Sequence, residues 1–123
     1  MISDAVEDLG RVEGVRMALV ASLDGLLVCS GGRAGEDEEM VAAMSAAILG
    51  TVNRAVTSAG LGGALEVLVG AATSSLQIMA VDDLAIVVVA SKDTNVGLVR
   101  LAMKRTASRL REFLVKEKTW SKH

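Results

Sequence analysis

The chain has 123 residues, of which 51% are hydrophobic and 23% charged, and carries a formal net charge of −2. That length suits one domain built on one continuous core, and the spread of charges excludes a disordered chain. Apolar runs such as Leu84 to Ala90 fall short of the roughly 18 to 20 residues of a spanning helix, and Met1-Ile2-Ser3-Asp4 lacks the basic and apolar segments of a secretion signal, which predicts a cytoplasmic protein without membrane insertion.

Ser3 is placed to cap a short first helix, with Asp4, Glu7 and Asp8 near its positive end and Val6 and Leu9 as its apolar stripe, ending near Gly10. From Val15 the pattern alternates, with Val15, Met17, Leu19 and Ala21 on one side. Asp24-Gly25 then predicts a hairpin turn into a second strand through Leu26 to Cys29, because both turn residues tolerate positive φ. Gly31-Gly32-Arg33-Ala34-Gly35 breaks the pattern and leads into the longest predicted helix, Glu36 to Ala59. Leu65, Val67 and Val69 define a third strand, with Glu66 pointing the other way. In the fourth, Leu76, Ile78 and Ala80 alternate with Ser75, Gln77 and Met79. An Asp82-Asp83 turn feeds Leu84 to Val89, apolar at every position as a strand covered on both faces must be. Asp93 or Thr94 is placed to cap a last helix carrying Val96, Val99, Met103, Thr106, Leu110 and Phe113 at helical spacing. The expected order is α-β-β-α-β-β-β-α, an α+β domain over residues 1–115 with a flexible tail over 116–123.

Few residues suit catalysis. The glycine-rich loop Gly31 to Gly35 lies between a strand and a helix, as phosphate loops do, but no Gly-Lys-Ser/Thr follows. The next residues, Glu36-Asp37-Glu38-Glu39, put carboxylates where a phosphate would sit. Neither nucleotide binding nor intrinsic NTPase activity is expected. His123 and Cys29 are single and far apart in sequence, which argues against a metal site, and Cys29 reads as a small core residue. Asp82 and Asp83 read as solvated turn formers. The basic series Arg100, Lys104, Arg105, Arg109 and Arg111 reads as a solvated helix face, since Phe113 and Trp120 are the only aromatics and base-stacking platforms are missing. No catalytic residue, cofactor, small-molecule substrate or nucleic acid is assigned, and a binding module is favoured over an enzyme.

The long helix is the informative segment. Met40, Val41, Ala43, Met44, Ala46, Ala47, Ile48, Val52, Ala55 and Val56 cover nearly its whole circumference, whereas a helix with one side in water shows a stripe. Ala42, Ala43, Ala46, Ala47 and Gly50 permit close approach of another backbone, and pairing of two such helices across a two-fold axis covers the second side.

The hairpin LVASLDGLLVCSGG, the alanine-rich helix after it, the run LAIVVVAS and the closing KDTNVGLVRLAMKRTASRL together resemble the Roadblock family of dynein light chains and bacterial and archaeal MglB-like proteins, over roughly residues 3 to 115. The resemblance implies a Roadblock/profilin-like fold and a homodimer in which the second helices pack antiparallel and the third strands join two sheets into one. It implies a platform for a small Ras-like, MglA-like GTPase, whose own catalytic groups the dimer rearranges without donating an arginine finger. Carried onto this chain, the dimer surface is expected at Met40, Ala43, Met44, Ala47, Ile48, Leu65, Val67 and Val69, with Glu36, Glu38 and Glu39 as an acidic rim for the partner. Two other readings accompany this one: a dynein-light-chain-like transport or signalling adaptor, and a sensory domain holding a small ligand between sheet and helix.

Overall fold

The computed structural model describes residues 1–31 and 37–121, with side chains to residue 117. Among these residues the elements run α1 (Ile2–Gly10), β1 (Val15–Ser22), β2 (Leu27–Gly31), α2 (Glu38–Ser58), β3 (Glu66–Gly70), β4 (Ser74–Val81), β5 (Leu84–Ser91) and α3 (Val96–Ser121). The expected α-β-β-α-β-β-β-α order is present. All strand pairs are antiparallel, in the spatial order β2-β1-β5-β4-β3, so β5 is central and β2 and β3 are the edges. The uninterrupted apolar run of β5 follows from that position, with Ala85 to Val88 fully buried.

The two sheet faces carry different helices. α1 and α3 cover one, over Val6, Leu9, Ala18, Val20, Val81, Ile86, Val88, Val99, Met103 and Leu110. α2 covers the other, over Met17, Leu19, Ala21, Ala42, Leu49, Ile78, Ala85 and Val87. Arg109 binds Asp8 at 2.8 Å, tying α3 to α1.

Several local expectations are corrected. Val15 and Met17 do not share a face, because the pairing with β5 shifts between them; Val15 joins the α1/α3 core and Met17 the α2 core. Ser3 does not cap α1, whose N-cap is Met1 without a side-chain hydrogen bond. At α3, Asn95 Oδ1 accepts from the Leu98 amide at 3.2 Å, while Thr94 is engaged with the Ser91 hydroxyl at 2.7 Å. Asp37 caps α2 by accepting from the Met40 amide at 3.0 Å, so the helix begins at Glu38. α3 continues to Ser121, so most of the segment expected as a tail has helical backbone. α2 itself is long and apolar enough to cross a membrane by length and composition; here Ala42 and Leu49 lie in the core against the sheet.

Candidate functional site

The α2 helix has two apolar sides. Ala42, Ser45, Ala46 and Leu49 face the sheet and are buried, while Met40, Ala43, Met44 and Ala47, at intervals of three and four, are exposed on the outer side. Met40 and Met44 are 51% and 56% exposed. The division separates neighbouring alanines: of the small residues expected to admit another backbone, Ala42 and Ala46 serve the sheet, and Ala43 and Ala47 point outward. Ile48 is half-buried and packs against the core beneath the helix.

Two connections frame this surface. At its N-terminal end the Asp24-Gly25 turn lies against the helix, with Gly25 at φ 96° and a Cβ there only 3.4 Å from Ala43 Cα. The turn is held by the Ser22 hydroxyl, which accepts from the Leu26 amide at 3.0 Å, and a hydrogen bond from Ser22 holds the Asp24 carboxyl below its ordinary value. Leu23 and Leu26, on either side of Gly25, are exposed. At the C-terminal end Asn53 Oδ1 accepts from the Ala64 amide at 2.9 Å, and the Thr57 hydroxyl donates to Gly62 O at 3.3 Å. These bonds fasten the connection to the helix and lay β3 along the sheet edge.

That edge is regular. β3 pairs residue for residue with β4, from Glu66↔Met79 to Gly70↔Ser75, without a register shift. Leu65 and Val69 are exposed on the α2 side, and Val67 is half-buried against the α2 core. The β2 edge differs: Ala21 pairs Leu27 while Val20 pairs Cys29, leaving Val28 as an extra residue in a bulge. Bulges discourage edge-to-edge pairing, and β3 carries no such guard. Its single charge, Glu66, is held bidentately by Arg100 at 2.6 and 2.9 Å.

The Arg100 hydrogen bond draws the Glu66 carboxyl below its ordinary 4.5. A carboxylate with a lowered folded value stabilises above the unfolded value and loses that contribution as pH falls through the folded one. The stability that this pair adds should therefore fade as pH falls below about 4.5, and Glu66→Gln should flatten the stability profile there. The shift should be small because solvent screens a pair this exposed. Urea midpoints at several pH values check this; a Glu66→Gln profile parallel to wild type contradicts it.

Of the expected partner-facing acids, Glu39 is exposed and Glu38 half-exposed at the start of α2, whereas Glu36, like most of the Gly31 to Gly35 loop, lies outside the described residues. Burial raises the Cys29 thiol, which packs against the α1/α3 core and thus resists ionisation. Among the described residues no group of three or more His, Cys, Asp or Glu converges on a metal position. Sequence reasoning missed two exposed features. Leu23 falls within the predicted bend and Leu26 at the start of the second predicted strand, and neither pattern marks them as exposed; Leu68, on the opposite face of β3 from Val67, was not singled out although the period-two pattern places it there.

The model of the Roadblock/LC7 domain matches residues 1–91. An uncharacterized protein of Methanocaldococcus jannaschii is 31% identical over 112 residues, covering 90% of this chain and 94% of the relative. Among solved structures, Myxococcus xanthus MglB superimposes with a TM-score of 0.87 at 20% identity, covering 94% of this chain and 88% of that one. A Roadblock/LC7 domain from Streptomyces avermitilis gives 0.85 at 18% identity, covering 92% and 97%. The match spans the hairpin, α2 and the three-stranded meander that build the surface just described, and the chain belongs to the Roadblock/LC7 domain family.

Proposed function

We propose that this protein is a cytoplasmic homodimeric regulator or scaffold without catalytic residues of its own, and that the dimer binds a small Ras-like GTPase of the MglA type and can stimulate its GTP hydrolysis. The observation that carries the reading is a pair of exposed apolar features, Met40, Ala43, Met44 and Ala47 on the outer side of α2 and Leu65 and Val69 on an unguarded sheet edge. A soluble domain rarely leaves both an apolar helix side and an open apolar strand edge to water. Two copies related by a two-fold axis cover both features at once, helix against helix and β3 against β3. The likeness in fold to MglB structures supports the GTPase as the partner.

Glu38 and Glu39 at the start of α2 supply an acidic rim for a basic patch on the partner; Asp37 is already committed to the cap. Reversing both charges, Glu38→Lys with Glu39→Lys, should lower the association rate about tenfold and weaken its dependence on salt, while the dimer mass stays unchanged. The assay mixes the dimer with an MglA-type small GTPase, loaded with GTP or GDP, and records binding and phosphate release. Preference for the GTP state with faster release supports a regulator; preference without faster release leaves a scaffold. Equal affinity for both states favours a constitutive adaptor, and no binding overturns the reading.

A further inference from the structure

α3 outruns the helix beside it. α1 runs back along α3, with Asp8 bound to Arg109 and Val12 beside Leu98, and it ends at Gly10. Past that end the first turns of α3 lose their cover on this side: Val99 and Ala102 stay buried, but Leu98 is 60% exposed. Two hollows that share Val12 form there. One, of about 390 Å³, lies between Val12, Leu98 and Val99 and is bordered by Glu13 and Asp93. The other, of about 250 Å³, lies between Leu9, Val12 and Ala102 and is bordered by Arg105.

The groove is firmly walled and electrically divided. The Ser91 amide donates to Gly14 O at 2.9 Å, the hydroxyls of Ser91 and Thr94 are hydrogen-bonded, and a Cβ at Gly14 would overlap the Thr94 side chain. The loops that carry Glu13 and Asp93 are thereby fastened to each other. Among the described residues no cation pairs with Glu13 or Asp93 and no carboxylate with Arg105, whereas Arg109, one turn past Arg105, is already bound to Asp8. Leu98 and Arg105 are two helical turns apart, roughly 10 Å, so an apolar floor separates an acidic end from a basic one. The lining holds no buried polar atom without a partner among the described residues, so nothing in it calls for a small polar ligand, and the carboxylates of Glu13 and Asp93 oppose an anionic membrane.

We propose that this groove receives a short segment of a partner protein in which an aliphatic side chain stands between a basic and an acidic residue. The aliphatic group rests on Val12 and Leu98, the base meets Glu13 and Asp93, and the acid meets Arg105. Charges of both signs, each without a partner, select a segment that supplies their opposites, and an extended chain covers the distance from Leu98 to Arg105 in about three residues. Leu98 lies on the side of α3 away from Arg100, which reaches β3. No residue of the groove belongs to α2 or to an edge strand, so a second copy paired through α2 and β3 leaves it open, and the inference stands apart from the proposed dimer and its GTPase.

The test titrates the full chain, uniformly labelled with ¹⁵N, with three blocked pentapeptides on one frame: Lys-Leu-Leu-Ala-Glu, Lys-Leu-Leu-Ala-Lys and Glu-Leu-Leu-Ala-Glu. The first should give saturable shifts at Val12, Glu13, Asp93, Leu98 and Arg105. It should bind about threefold more tightly than either of the others, the ratio that one exposed ion pair provides, by a margin that shrinks with salt. Leu98 and Arg105 are both exposed, so substitution leaves the fold intact: Arg105→Glu should pass the preference to the two-lysine peptide, and Leu98→Ser should weaken all three about fivefold. Ala47→Arg should bind as wild type does, because the groove is complete in one chain. Equal affinity of the wild type for the three peptides, an unchanged ranking in Arg105→Glu, or no saturable shift at millimolar peptide overturns the proposal. Loss of binding in a folded Ala47→Arg protein also overturns it, by making the site depend on the second copy.

Discussion

Ala47→Arg should yield a folded monomer. Wild-type protein at micromolar concentration should scatter light as twice the 12.7 kDa chain, and the variant as one chain with an unchanged circular-dichroism spectrum. Ala47 is exposed on the outer side of α2, and arginine is nearly as good a helix former as alanine, so the isolated chain has no reason to unfold. In a pair of α2 helices the same guanidinium would enter a surface of Ala43, Met44 and their counterparts. An unpaired charge in such a place costs about 3–5 kcal/mol, or roughly two to three and a half powers of ten in dissociation constant. Leu101→Arg, on the exposed side of α3, is the control and should leave the mass unchanged. A monomeric wild type, or an Ala47→Arg dimer of wild-type affinity, contradicts the proposed assembly.

Gly31→Ala should be strongly destabilising. A Cβ at Gly31 would stand 2.5 Å from Val6 O, 2.7 Å from Val6 C and 2.8 Å from Glu7 Cα. All three are backbone atoms of α1, so no rotamer change relieves the clash. α1 must lift from β2, exposing Val6 and Leu9, now 0% and 2% exposed. A loss of about 1–3 kcal/mol or more is expected, from overpacking and from surrendered burial. Gly70→Ala, where nothing lies within 4 Å, should change stability by no more than about 0.5 kcal/mol. Urea unfolding of the three proteins measures the difference, and hydrogen exchange should locate it in α1. Equal stability of Gly31→Ala and Gly70→Ala would mean that α1 is not held against β2.

Local pattern was sufficient for much of this protein. The Asp24-Gly25 and Asp82-Asp83 turns, the alternation of β3 and β4 and the unbroken apolar run of β5 each follow from a few neighbouring residues, because turn geometry and the period-two strand are short-range effects. The order of elements and the double covering of β5 were therefore legible before any coordinates. Caps were less so: Ser3, Thr94 and Asn95 are all chemically able to cap, and at α3 it is Asn95 that does so while Thr94 engages the Ser91 hydroxyl.

What the tertiary structure decided were the questions that depend on a second element. The register shift between Val15 and Met17 arises from pairing with β5, and it sends two residues of one apparent stripe to opposite cores. α2 is apolar all round, so its sequence cannot say which alanines meet the sheet; packing on β1, β2 and β5 assigned Ala42 and Ala46 inward and left Ala43 and Ala47 outside. Val12 and Leu98 are far apart in sequence and share no pattern, and only the packing of α1 along α3 brings them together between the carboxylates of Glu13 and Asp93 and the guanidinium of Arg105. Hydrophobic periodicity tells a residue to leave water, but which neighbour it finds there is set by register and by the helix that happens to cover it.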